Sequence, residues 1–545
     1  MKKTMKIVAL VVALVMVFAV SAVMLAACGD QDDDQGYAGG TFNIKVWTSE
    51  KVNDETGLSV ADHFKEQIKK FNDSQDKYTF NATVEGVGEG EAASQMLLDV
   101  PTGADLFCFA QDQTARLVQA GALSEPGKAA TKEVQESHEA GAVSAATVAG
   151  KVRAYPLTGD NGYYMYYDKS VITDSVDKTD LAALVKACKD AGKNFSMELE
   201  GSGWYTASFF FATGCHTNWT VGNSGFFTSV DDTFNSPAGV KAMKGMQILT
   251  QSGVYVNSSK AADLASATGS AVVVSGTWDA STAKSILGEN LGVAELPSFK
   301  VGEETFHMGS FSGYKLLGVK PQTDANKAAG LSLLARYLTN EQSQLERFEE
   351  FGWGPSNKGA QENEKVQADP ILTALREQNE YATVQGQIHG SWWAIAQTLA
   401  AAGREATSDE DINAALLAYE TEVKKLVSKT EEELTTWSVI GSIGNTSWDA
   451  DLEMEKQGDN VWITKDAYAM DDKTEWVFRM GADWNYKVGY SDANSKIMIR
   501  WNNDPDTNNL TLAKLGQAAG TYKLKLTLTF TGTQVTAATI EFIAA

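Results

Sequence analysis

Asn43-Ile44-Lys45-Val46-Trp47, running on into Thr48-Ser49-Glu50-Lys51, is the stretch that sets the fold of this 545-residue chain. It alternates and is rich in strand formers, and Ala61 to Phe71 behind it places Phe64, Ile68 and Phe71 at helical spacing. A second strand follows at Tyr78 to Val84, then a helical stretch through Met96, Leu97 and Leu98, a third strand at Asp105 to Phe109 and a helix from near Gln113. Strand and helix alternating in units of this length predict a parallel sheet with right-handed crossovers. Ligands of such sheets bind at the carboxyl ends of the strands, and Trp47 to Lys51 and Phe109 to Gln113 occupy two of them.

Further along, Arg153 to Leu157, Tyr163 to Tyr167, Ala271 to Ser275, Val293 to Pro297 and Tyr314 to Val319 read as strands. Asp180 to Lys193 and Ser236 to Ser252 read as helices, the second stopped by Gly253, and Asp324 to Val427 is almost wholly helical in pattern. From Trp437 the pattern changes to short alternating runs separated by Gly, Asn and Asp, which predicts a small antiparallel sandwich over 435–545. Lys429 to Leu434 is a charged junction between the two parts.

Upstream, Lys2, Lys3 and Lys6 precede an apolar run from Ile7 to Met24 that ends in Leu25-Ala26-Ala27-Cys28. A basic start, an apolar core and small residues before a cysteine resemble a bacterial lipoprotein signal over 1–27, with Cys28 as the lipidated first residue of the mature chain. An uncleaved anchor helix is the bland alternative, since the run nearly suffices to span a bilayer. Residues 28–40 carry Asp30, Asp32, Asp33 and Asp34 and predict a flexible acidic linker. The expected location is the extracellular face of the cell membrane, in a Gram-positive bacterium. A net charge of -24 argues against a nucleic-acid surface.

Cys108, Cys188 and Cys215 remain, an odd number that cannot all pair internally. Buried free thiols are expected; a Cys188 to Cys215 bridge is conceivable. No pair has zinc-ligand spacing and His numbers only 5, so no metal and no cofactor is expected. Gly86-Val-Gly-Glu-Gly90 lacks the Lys and Ser or Thr of a phosphate loop, Cys108 has no evident His partner, and nothing singles out two carboxylates for glycosidic acid and base roles. The chain does not read as an enzyme.

Several motifs in order resemble one family. Val46-Trp-Thr-Ser-Glu-Lys51, Gly103-Ala-Asp-Leu-Phe107, Gln119 to Glu125, Ala154-Tyr-Pro-Leu157, Tyr167-Asp-Lys169, Ser275-Gly-Thr-Trp278, Leu296-Pro-Ser-Phe299 and His389-Gly-Ser-Trp-Trp393 make residues 41–427 similar to family 1 extracellular solute-binding proteins of ABC sugar importers, above all the maltose and maltodextrin group. The resemblance implies a type II periplasmic-binding-protein clamp of two α/β lobes, lobe 1 at about 41–155 and 305–353 and lobe 2 at about 156–304 and 354–427. Trp437 to Ser442, Trp448-Asp449, Glu475 to Met480, Asp483 to Gly489 and Gly520 to Leu524 resemble the sandwich modules of starch-utilisation proteins and some amylases.

A sugar presents hydroxyls around its rim and weakly apolar C–H faces, so its site needs flat aromatics and fixed polar groups. Carried over by motif, the rim candidates are Glu50, Lys51, Asp112 and Asp160, and the face candidates are Phe109, Trp204, Trp278, Trp392 and Trp393. Trp392 and Trp393 are neighbours on a predicted helix and cannot share a face, and Trp392 is the one expected in the cleft. Asp112 could equally cap the helix after it. The maltose-binding pattern is altered at Phe109, Gln113, Asp160 and Ser202-Gly203-Trp204. In the tail, alternation over Glu475 to Met480 puts Trp476 in the core, while Trp484 and Trp501, with Trp462 third, are the candidate glycan platforms.

The expectation is a lipid-anchored monomeric receptor that takes an α-glucan oligosaccharide, maltodextrin in type, to ABC permease subunits. A cell-surface starch adhesin or scaffold without transport, and a glycoside hydrolase, are the competing readings.

Overall fold

The computed structural model describes residues 36–545 apart from 54–55, 223–224, 266–267, 445, 485, 493–494, 502–507 and 532–533. The leader and Cys28 lie outside the described residues, as does most of the acidic linker. No helix among the described residues is long and apolar enough to cross a membrane.

Two α/β lobes are present, each built on a five-stranded sheet. In the first, the order is Tyr78–Gly86, Gly40–Thr48, Leu106–Ala110, Lys315–Val319, Tyr155–Thr158. The first three strands are parallel, as the opening motif predicts, and Lys315–Val319 lies antiparallel between Leu106–Ala110 and Tyr155–Thr158. The crossover helix Val60–Ser74 is started by the Ser59 side chain, which accepts from the Asp62 amide, and it buries Phe64, Ile68 and Phe71 on the sheet. The second sheet runs Tyr255–Val256, Asn194–Ser196, Ser270–Ser275, Tyr164–Asp168, Leu291–Ala294. Ser270–Ser275 is buried along its whole length, as a central strand covered on both faces must be. Pro237–Thr250, capped by Ser236, packs on neighbouring helices and on the strand Ser298–Val301 of the same lobe, and Gly253 follows its end at φ +83.

The strand returning to the first sheet, Lys315–Val319, makes this the clamp topology: the chain leaves the first lobe after Thr158 and re-enters it at Lys315. Tyr155–Thr158 therefore belongs to the first lobe, and Ser298–Val301 with Glu304–His307 forms a hairpin of the second. Both crossings thus fall a few residues later than the expected boundaries at 155 and 305. Helical structure from Ala325 to Lys425 is interrupted by Ala382–Val384, which pairs in parallel with Ser310–Ser312.

The C-terminal part is an all-antiparallel sandwich. One sheet holds Trp437–Gly441, Glu475–Met480, Tyr486–Ser491, Lys496–Trp501 and Leu510–Thr511; the other holds Leu452–Gly458, Val461–Thr464, Tyr468–Met470, Gly520–Thr531 and Gln534–Ala544. Trp437, Trp476, Phe478, Val488, Leu524 and Leu526 fill the space between them. Cys108, Cys188 and Cys215 are free and buried, so the conceivable Cys188 to Cys215 bridge is not formed.

Candidate functional site

The lobes meet where the sequence places its two strand ends. Gln111–Gln113 makes a tight turn after Leu106–Ala110, and helix Thr114–Gln119 follows without a side-chain cap, so Asp112 does not serve as its N-cap. Asp112 instead accepts a hydrogen bond from the indole Nε1 of Trp393 in the other lobe, at 3.3 Å. Burial pushes the Asp112 carboxyl up to about 6, against the opposing pull of Trp393 and Arg116. Beside it, Gln387 accepts from the Ala115 amide at 2.8 Å and donates to the Gln111 carbonyl at 3.1 Å, a second polar tie between lobes.

Trp392 and Trp393 sort opposite to expectation. Trp392 is wholly buried in the second-lobe core, against Phe234 and Phe311, and its Nε1 donates to Tyr419 at 2.8 Å. Tyr419 in turn donates to Asp232 at 2.6 Å, which completes a buried polar chain. Trp393 is the cleft residue. The cause is that Trp392–Ala396 is a short helix lying on the lobe, and only its second residue turns toward the partner lobe. Phe109 is likewise corrected: it sits in the middle of the first sheet with no exposure and stacks obliquely on Phe107 at 5.5 Å.

On the second lobe, Trp204 and Trp278 lie 5.8 Å apart, with Tyr163 edge-on to Trp204 at 4.5 Å. Trp204 Nε1 donates to Gln385 at 3.1 Å. The Trp278 ring folds back over Gly276, where an added Cβ would fall 2.2 Å from the ring, so the Ser275-Gly-Thr-Trp278 motif needs its glycine for this close approach. Asp160 is buried in the first crossing segment. Its Oδ2 accepts from Thr277 at 2.8 Å and from the Gly354 amide at 2.9 Å, while its Oδ1 is buried with no hydrogen-bond partner. One oxygen ties the hinge, and the other remains an unused acceptor. Lys51 reaches across to Asp279 at 3.8 Å, and Glu50 is exposed at the end of its strand.

Sequence reasoning missed Glu89 and Lys315. Glu89 is carried by the glycine-rich segment after Tyr78–Gly86, which Gln113 holds in place through the Glu89 and Gly90 carbonyls and the Ala93 amide. Lys315 lies 3.5 Å from Glu89, with its ammonium 5.8 Å from the Trp278 ring centroid and 5.1 Å from that of Trp353. Burial alone would depress this amine, but Glu89 and Asp160 outweigh it and raise its pKa. The signal available was Gln113 itself, a neutral side chain that both accepts and donates where the resembled pattern carries Arg.

The sandwich brings together a pair that sequence reasoning only half found. Trp484, 41% exposed, stacks with Trp448 at 6.2 Å and 28°, and the Arg479 guanidinium lies 4.7 Å over the Trp484 ring. Arg479 is held by Asp451 through two hydrogen bonds. Trp448 adopts φ +66, a costly conformation for a bulky side chain. Trp462 is corrected from platform to core, 7% exposed and packed toward Trp437. Trp501 pairs through its backbone with Tyr486, and its side chain lies outside the described residues.

Among the described residues no group of His, Cys, Asp and Glu could hold a metal ion. Residues 66–374 match the sequence model of the bacterial extracellular solute-binding protein family. The chain belongs to that family. Among solved structures it is similar to a maltodextrin-binding protein from L. casei, with 23% identity over 72% of this chain and 100% of that one and a TM-score of 0.60. It is also similar to the GacH receptor of Streptomyces glaucescens, at 16% over 71% and 99% with 0.58, and to a maltotriose-binding protein of Thermus thermophilus, at 17% over 70% and 100% with 0.58. No curated protein matches the chain. As a member of that family, the protein is an extracellular solute-binding protein.

Proposed function

We propose that this protein is the lipid-anchored receptor of an ABC importer and that its cleft binds maltodextrin-type α-glucan oligosaccharides. The carrying observation is the pairing of flat aromatics on the second lobe with acceptors on the first lobe, at Asp112, and on the crossing segment, at Asp160. Trp204, Trp278 and Trp393 supply surfaces for sugar faces, while Asp112 and the unused Oδ1 of Asp160 supply acceptors for hydroxyls. The ligands bound in the similar structures, maltotriose in the Thermus protein and acarbose in the Streptomyces receptor, fit the same reading.

A bound glycan replaces the Trp393 to Asp112 bond with its own hydroxyls and bridges the lobes, shifting the clamp toward its closed form. The closed form then docks on the permease. Two acyl chains on Cys28 hold the receptor at the outer face of the membrane. In the sandwich, Trp484 with Trp448 is the surface suited to longer α-glucans, raising their concentration near the cleft. Binding requires no bond cleavage, and the protein is not an enzyme in this reading. Calorimetric titration with maltotriose should give saturable heat at one site per chain. No heat with maltotriose, together with binding of a sugar lacking α-linked glucose, refutes the proposal.

A further inference from the structure

We propose that the C-terminal sandwich is a third jaw of the clamp, carried rigidly by the second lobe and docked on the first lobe through Tyr486. The attachment to the second lobe has two parts. The chain arrives from helix Asp409–Lys425, whose Leu416, Tyr419 and Val423 lie in the second-lobe core, and Lys429 Nζ then donates to the Gly481 carbonyl at 2.8 Å. Independently, Phe226, beside the second-lobe hairpin of Thr217–Val221 and Phe227–Asp232, is 8% exposed and is built into the sandwich's hydrophobic cluster. Its ring meets Tyr486 edge-on at 6.1 Å.

Beyond Phe226, Tyr486 has Gln119 and Arg116 of the first lobe as neighbours. The hairpin presses on the same helix: a Cβ on Gly225 would fall 2.6 Å from the Ala115 carbonyl and 2.8 Å from the Gln119 amide. Helix Thr114–Gln119 therefore has the solute site at its start, through Asp112, and the sandwich at its end. If the lobes part, Tyr486 and Gln119 part with them. Cleft closure and sandwich docking are then linked, and each must strengthen the other by the same factor.

The sugar arm of the test rests on the proposed function; the distance arm does not. Spin labels at Lys69→Cys on the first lobe and Lys473→Cys on the sandwich, in the exported chain carrying Cys28→Ser, report docking without any sugar, because the described native thiols are buried. Gln119→Ala and Tyr486→Ala are compared, since Gln119→Ala cannot unfold the sandwich. Expected are a lengthened, broadened label distance in both variants and maltotriose binding weakened on the order of fivefold. Unchanged distances in both overturn the proposal, as do changed distances with unchanged affinity. Changed distances in a protein that takes no maltotriose at all support docking and sink the sugar reading instead.

Discussion

Asp112 should make solute binding pH-dependent, in a direction the geometry fixes. Its carboxyl is pushed up to about 6 by burial, and it is aimed at Trp393 in the opposite lobe. Sugar hydroxyls donate best to the ionised form, so a bound solute favours the carboxylate and must release a proton wherever Asp112 is protonated beforehand. With a pKa of about 6, roughly ten in eleven molecules carry that proton at pH 5 and one in eleven at pH 7. Affinity should therefore rise about tenfold between pH 5 and pH 7, roughly 1.4 kcal/mol. Titrations with maltotriose in two buffers of different ionisation heat should show about three-quarters of a proton released near pH 5.5. His389 is the nearby imidazole, and burial with Arg116 beside it holds its pKa below the usual value. Asp112→Asn removes the acidic dependence and leaves any contribution from His389. A flat affinity profile in the native protein, or an Asn variant that keeps the full slope, refutes the assignment. In the empty protein the same raised pKa acts oppositely on folding: its contribution is present below about pH 4 and is lost as pH rises through 6.

Trp392→Ala should cost about 3–5 kcal/mol of stability by denaturant titration, while Trp393→Ala should leave stability within about 1 kcal/mol but weaken the solute tenfold or more. Lys315→Met strips the buried counter-charge from Glu89 and Asp160 and should destabilise by about 3–5 kcal/mol in the same assay. His63 and His138 are held neutral by burial, both lowered from 6.5 to about 4, so each contributes stability present above pH 6.5 and lost as pH falls toward 4, up to about 3 kcal/mol. Melting temperatures at pH 4.5 and 7 should thus converge in His63→Phe relative to the native chain. Trp484→Ala should abolish retardation in starch-containing native gels without changing maltotriose affinity at the cleft.

What the sequence makes legible follows from periodicity. The strands Gly40–Thr48 and Tyr78–Gly86 and the helix Val60–Ser74 show because one face of each is apolar at a regular interval. Leu452–Gly458 stayed hidden because only Leu452 and Met454 turn toward the core, and glutamates, lysine and glutamine fill the rest of the strand. At the site, types were readable but orientations were not. Trp392 and Trp393 are chemically identical neighbours, and only the tilt of a five-residue helix decides which one meets Asp112. Phe109 misled because a strand buried on both faces gives no alternation from which to choose a cleft side. Lys315 was invisible because its charged partners, Glu89 and Asp160, lie more than 150 residues away in sequence and meet it only through the returning strand.

The three buried thiols constrain how this protein comes to exist. Outside the cell, where this family works, Cys108, Cys188 and Cys215 are open to oxidants until folding buries them. In the finished protein Cys108 and Cys188 are pushed up to about 12, so the reactive thiolate is almost absent at neutral pH and the sulfurs are chemically silent. Protection is thus earned by folding speed and not by covalent pairing. The first lobe must close over Cys108 and the second over both Cys188 and Cys215 before a wrong disulfide forms.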